Sequence, residues 1–335
     1  MATSPSFDPA DPAWLAHRYD LVGDRVRYRH VPRSLHREGP FLIDELIGNQ
    51  PQHVLERASG VAVARRHMAP VHFIFHSAFC ASTMLVRAFD LSGAAMGLSE
   101  PVLLNDIVGI HRRGERGGAD LARLIDEALT LLGRPWSAGE AVVIKPSNIL
   151  CTLQRPILAL RPQARAVLLH APLRPFLASV ARKGLWCRLW VRELLEGLLH
   201  DGLVDLGLAA KDYFRLTDLQ IAAVGWLAQH RQFAMLADLY PERVRSLASS
   251  QLLADPEGVA TAVADLFGIE GRFAGHPAFG RHSKSGTAFT AGDRALEERD
   301  ALTNHADEIE KVEAWATVLA ERAGVALTLP NPLIA

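Results

Sequence analysis

Five short runs constrain this chain more than anything else in it: VHFIF at 71–75, AMGL at 95–98, AVVIK at 141–145, ARAVLLH at 164–170 and RVRSLAS at 243–249. VHFIF, AVVIK and the LLH run are apolar at successive positions rather than at alternate ones. Strands of that kind are buried on both faces, which is the signature of a parallel sheet. Each is followed by a stretch able to form a helix, and strands alternating with helices place the helices on both sides of the sheet. The expected class is α/β, with a central parallel sheet in a three-layer fold.

Between the strands, helices are expected over residues 82–91, 102–112 and 119–132, with Gly117-Gly118 and Gly133-Arg134-Pro135 as breaks. Residues 185–240 are leucine-rich and mainly helical, a lobe within the domain whose Trp186, Trp190 and Trp226 read as packing residues. PEGVATAVADLFGI reads as an amphipathic helix, and a last helix is expected from 293 to 322, stopped by Gly324. The boundaries drawn are an N-terminal extension at 1–68 and a domain at 69–335. In the extension the first dozen residues read as disordered. RVRYRHVP reads as a strand, and FLIDELIG as an amphipathic helix with Asp44 and Glu45 on its polar side. FLIDEL also has the apolar-then-acid form of an ATPase magnesium site, which the helical spacing of Phe41, Leu42, Leu46 and Ile47 argues against.

Composition narrows the function. With 36 Lys+Arg against 37 Asp+Glu in 335 residues, no global charge draws the chain to nucleic acid or an anionic membrane. The three cysteines, Cys80, Cys151 and Cys187, form no CxxC pair, so neither zinc nor a disulfide framework is expected. The acidic, proline-rich start lacks the apolar core of a signal peptide, and no apolar run reaches membrane-spanning length. A cytoplasmic protein is expected, with no metal, no nucleic-acid partner and no membrane partner. A homo-oligomer is compatible with the sequence.

The segment HSAFCAST follows VHFIF, where an open parallel sheet places its ligands, beyond the carboxyl ends of the strands. Unpaired amides at a helix start suit a phosphate or sulfate, and Ser82 and Thr83 add hydroxyl donors. Against GxxxxGK[ST], only Thr83 fits: His76 and Ala81 stand at the glycine places and Ser82 at the lysine place. A purely structural turn stays open on this pattern.

HSAFCASTMLVRAFD, SEPVLL, VVIKPSN, ARAVLLHAPLRPFLASVARKG and RVRSLASSQLLADPEGVATAVADLFGIE occur in the order seen in P-loop sulfotransferases. The chain resembles that family from about Val71 to its end, most closely at Asp255-Pro256-Glu257 and Leu266-Phe267-Gly268. The resemblance implies a P-loop-type fold and a three-part site for 3′-phosphoadenosine 5′-phosphosulfate. Ser77, Ala78, Phe79, Cys80, Ala81, Ser82 and Thr83 would hold the phosphosulfate. His170, in an arginine's place, and Ser179 would meet the 3′-phosphate, with Arg174 as a cationic donor beside them. Arg281, Lys284 and Gly286 in RHSKSG would form the third loop. The residues alone allow a solvated helix surface for Arg174, Arg182 and Lys183, and a neutral, partly buried ring for His170.

One departure matters chemically. Phe79 stands where the family carries a lysine or arginine, and losing such a donor typically costs catalysis roughly 10²–10³-fold. Lys145, at the apolar end of a strand, and Lys284 are the candidate replacements. Glu100, in SEP, is the candidate base by resemblance to carbohydrate and tyrosyl sulfotransferases; as a bare residue it is equally a helix-entry glutamate before Pro101. His76 is a second candidate base, and Cys80 at a helix start a remote nucleophile. The absence of GxSxG counts against a serine hydrolase on a nucleophile elbow. The expected function is sulfuryl transfer to a hydroxyl or amine of a small-molecule, carbohydrate or peptide acceptor. The alternatives are a catalytically lost nucleotide-binding or scaffolding protein on the same fold and, less supported, phosphoryl transfer from a nucleoside triphosphate.

Overall fold

A computed structural model of the chain describes residues 5–280 and 303–334. It contains two sheets. The first is antiparallel, in the order β1 (Trp14–Asp20), β2 (Arg25–His30), β3 (Gln52–Glu56). The second has five strands in the order β5 (Ala95–Ser99), β6 (Ala141–Lys145), β4 (Val71–His76), β7 (Ala166–His170), β8 (Val244–Ala248). The five expected strands are thus the five strands of a central parallel sheet flanked by helices. Every residue of β4, β6 and β7 is buried, as runs apolar on both faces require.

By internal packing the described chain forms two compact units. One comprises residues 5–75, 83–166 and 260–280 and holds the antiparallel sheet with β4, β5 and β6. Its helices include Ser82–Ala88, Val102–Arg112 and Gly118–Leu132, within a residue or a few of the spans expected from the sequence. Strand β6 pairs in parallel with both neighbours, Phe73 opposite Ile144 on one side and Ser99 opposite Lys145 on the other.

Two expectations fail in this unit, for readable reasons. Residues 5–12 are not loose: Phe7 packs against Trp14, Tyr28 and His53, and Trp14 Nε1 donates to Ser6 O at 3.0 Å. The buried Arg134 guanidinium closes the same segment, donating to the carbonyls of Pro9 (2.7 Å), Asp11 (3.0 Å), Trp14 (2.7 Å) and Leu131 (3.0 Å). FLIDELIG is not an eight-residue helix. Only Asp44–Ile47 is helical, because residues 40–42 are drawn out along the end of β5. Leu42 N donates to Ser99 O at 2.8 Å, Val102 N to Leu42 O at 3.3 Å, and Ser99 Oγ to Pro40 O at 2.6 Å. Asp44 is held by His17 (2.9 Å) and Arg18 (2.6 Å), and Arg18 also grips Asp106 at 2.8 Å.

The other unit comprises residues 76–82, 167–259 and 303–334. Its helices are Leu173–Arg182, Gly184–His200, Asp218–Leu239, Ser249–Ala254 and Ala306–Ala323, the last ended by Gly324 at φ +65° as expected. Asp218–Leu239 begins with a capping box, in which Thr217 Oγ1 accepts from Gln220 N at 3.3 Å and Thr217 N donates to Gln220 Oε1 at 3.0 Å. Trp226 is buried as a packing residue, whereas Trp186 is 62% exposed. Among the described residues no helix is long and apolar enough to cross a membrane, and no group of three or more His, Cys, Asp or Glu could hold a metal ion.

Candidate functional site

The register of β5 on β6 creates the first cluster. Ser99 lies opposite Lys145, so the next residue, Glu100, turns at the carboxyl edge beside it, its amide donating to Lys145 O at 2.6 Å. Glu100 has a left-handed backbone, φ +50°, a conformation that is unfavourable for a residue with a Cβ and gathers at functional sites. Its carboxylate forms an ion pair with Lys145 Nζ. That ammonium also donates to Thr83 Oγ1 at 3.3 Å and lies 4.8 Å from the Phe41 ring centroid. Lys145 is wholly buried, while the Glu100 side chain keeps 18% of its surface exposed. A buried ammonium is tolerable only with such partners. The structure therefore joins two residues expected at the site, Lys145 and Glu100, to Thr83 at the end of the turn. It adds Phe41, whose place was hidden by the helical reading of FLIDELIG.

The turn itself forms the second cluster. Ala78, Phe79 and Ala81 all have left-handed φ values, +68°, +51° and +62°. For L-residues this costs roughly 1–2 kcal/mol each, a backbone conformation that glycine adopts without that cost. Ser77 is pinned: its amide donates to Leu169 O at 3.1 Å, and its hydroxyl accepts the Ala171 amide at 3.2 Å. His76 Nδ1 accepts the Ala78 amide at 3.2 Å, so the lone pair a base would use there is engaged. Cys80 is in no disulfide and is buried, so its thiol does not face solvent.

Phe79 does not point into emptiness. Its ring packs against Phe176 (5.9 Å between centroids) and edge-on against Trp190 (5.5 Å), and Lys183 Nζ stands 5.3 Å from its centroid. Lys183 lies at the junction of two helices, before Gly184 at φ +67°, and so places a cation over the Phe79 ring. On sequence alone Lys183 was open between a cationic donor at the second loop and a solvated helix surface; its approach to Phe79 depends on that junction.

His170 is buried, its ring edge-on to His230 at 5.0 Å, and His230 is stacked on Trp226 at 3.9 Å. Burial pushes His170 below its ordinary value and His230 down to about 3. His170 is therefore a neutral ring, and the positive charge near the second loop rests with Arg174 and Lys183. Arg174 Nη1 is shared with Glu313 Oε2 at 2.7 Å, and Ser179 lies half-buried on the same helix. Arg281, Lys284 and Gly286 lie outside the described residues. The Asp255-Pro256-Glu257 block has a structural explanation: Asp255 Oδ1 accepts the Gly258 amide at 2.9 Å, and Pro256 opens the helix Pro256–Phe267.

What the described residues offer is, in one unit, a buried ammonium–carboxylate pair and, in the other, a strained small-residue turn and a lysine over an aromatic ring. No protein-family model matches the sequence, and no curated protein does. Among solved structures the chain is similar to a sulfotransferase domain from the curacin biosynthetic pathway, at 13% identity over 79% of this chain and 100% of that one, with a TM-score of 0.43. It is also similar to a sulfotransferase domain from the Synechococcus PCC 7002 olefin synthase, at 13% identity over 72% of this chain and 96% of that one, with a TM-score of 0.41.

Proposed function

We propose that the protein transfers a sulfuryl group from 3′-phosphoadenosine 5′-phosphosulfate to a hydroxyl or amine acceptor. The observation that carries this reading is Lys145, a buried ammonium at the end of β6 bonded to Thr83 and paired with Glu100. The motif order shared with sulfotransferases supports it, as does a turn held in left-handed backbone at three residues. The donor, when bound, supplies an activated sulfuryl group on a phosphate leaving group. The main-chain amides of residues 77–83 would bind the phosphosulfate, with Ser82 and Thr83 as hydroxyl donors. Lys145 would hold positive charge where the leaving phosphate gathers negative charge, with Lys183 as a second cation and Lys284 a third candidate. Glu100, oriented by Lys145, would accept the proton from the acceptor. Arg174, Ser179, Arg281 and Gly286 would bind the 3′-phosphate; His170, neutral and buried, fits an anion poorly.

Adenosine 3′,5′-bisphosphate tests the binding half. At a hundredfold its dissociation constant it should stabilise the fold by about 2.7 kcal/mol, and no thermal shift at millimolar ligand would sink the reading. Labelled donor with a broad acceptor panel tests turnover. A second reading, a nucleotide-binding protein without catalysis, is favoured by one observation: Phe79 fills the place of a donor and is packed by Phe176 and Trp190. Protection by the bisphosphate with no label transferred would select it.

A further inference from the structure

The helix Gly184–His200 has two sides with different surroundings. At about 100° per residue, Trp190, which meets Phe79, faces away from the side shared by Leu185, Leu189, Arg192, Glu196 and Leu199. That outward side opens into a cavity of about 560 Å³, closed by Tyr213 and Phe214 from the following segment and by Ile221 of the helix Asp218–Leu239. The volume falls within the range of roughly 300–1,000 Å³ usual for small-molecule sites. It is a separate place from the turn at 77–83, because the helix itself stands between the two faces.

The chemistry of the walls selects a ligand. Leu195, Leu199 and Ile221 form an apolar floor, and Phe214 stands at the mouth 91% exposed, a whole aromatic ring left in water beside an apolar hollow. Two charged residues line it, and only one is neutralised. Arg192 Nε donates to Asp218 Oδ1 at 2.7 Å and Nη2 to Leu216 O at 3.3 Å. Among the described residues the Glu196 carboxylate makes no hydrogen bond and no ion pair, so it is the charge left available to a ligand at the cavity. Tyr213 adds an aromatic face and a hydroxyl, both suited to a cation.

We propose that this cavity binds an apolar amine, its hydrocarbon part lying on Leu195, Leu199 and Ile221 beneath Phe214 and its ammonium against Glu196 and Tyr213. The site is independent of sulfuryl transfer. Calorimetric titration of the full chain with octylamine, octanol and octanoate, each below its micellar concentration, tests it. Octylamine should bind about two- to fivefold tighter than either of the others, the discrimination expected of one exposed ion pair. Glu196→Gln, an exposed substitution, should erase that preference while leaving octanol binding unchanged. Leu199→Trp should fill the hollow and abolish binding of all three, with the response to adenosine 3′,5′-bisphosphate unaltered. Equal binding of the three probes, a preference surviving Glu196→Gln, or no binding at all would overturn the proposal. So would sedimentation showing that a second copy of the chain occupies this face.

Discussion

At the scale of the residue, the Lys145–Glu100 pair concentrates most of what distinguishes this chain. A lysine closing an all-apolar strand was visible in AVVIK, and Glu100 was visible as a candidate carboxylate in SEP. Their contact was not, because it follows from Ser99 pairing with Lys145, and register is a tertiary property. Removing Lys145 takes an ion pair from Glu100, whose side chain keeps 18% of its surface exposed, so Lys145→Met should lower the unfolding free energy by about 1–3 kcal/mol. Adding Glu100→Gln should then recover part of that loss, read in urea titrations; strictly additive losses would contradict the pair. The turn makes a second, opposite prediction. Ala81 stands at φ +62°, where glycine is at home, so Ala81→Gly should be neutral or stabilise by up to about 1 kcal/mol. The same substitution inside a helix costs about 1 kcal/mol. Clear destabilisation by Ala81→Gly would show that the left-handed turn is not strained.

At the scale of the element, the strands and most helices were legible because their signal is local. The five apolar runs and the breaks at Gly117-Gly118 and Gly133 lie within the elements they define. Residues 5–12 and 40–42 were misread because distant groups hold them. Nothing near Phe7 reveals that Tyr28 and His53 surround it, and nothing near Pro9 reveals Arg134 more than a hundred residues on. Arg134→Lys keeps the charge but loses the planar fork that reaches four carbonyls. It should destabilise by about 2 kcal/mol and speed proteolysis within residues 5–13 before the rest of the chain. Unchanged cleavage there would mean the aromatic cluster around Phe7 suffices alone. Lys183 belongs at this scale too: its approach to Phe79 depends on the reversal at Gly184. Lys183→Ala should weaken adenosine 3′,5′-bisphosphate binding several-fold with little change in stability, since the side chain is only half-buried. Equal affinity would remove it from the proposed site.

At the scale of the whole molecule, buried neutral histidines tie stability to pH. Burial pushes His36 and His72 down to about 4 and His230 down to about 3. In the unfolded chain the same rings titrate near 6.5, so between these limits the unfolded state binds more protons. Their contribution is therefore complete above about pH 6.5 and is lost progressively as pH falls toward 4, for His230 toward 3. Urea midpoints taken from pH 8 to pH 4 should fall on the acid side, and His230→Gln should make that slope shallower. A midpoint that rises on acidification would contradict the burial of these rings.

By itself the sequence determined the α/β class, the five central strands and the residues from which a site could be built. All of these follow from hydrophobic runs and turn residues that act over a few positions. Tertiary structure alone decided which of those residues meet: Glu100 with Lys145, Lys183 with Phe79, Arg134 with the start of the chain, His170 with His230. Such meetings depend on strand register and helix reversals, which join positions tens to more than a hundred residues apart and leave no mark in the local pattern.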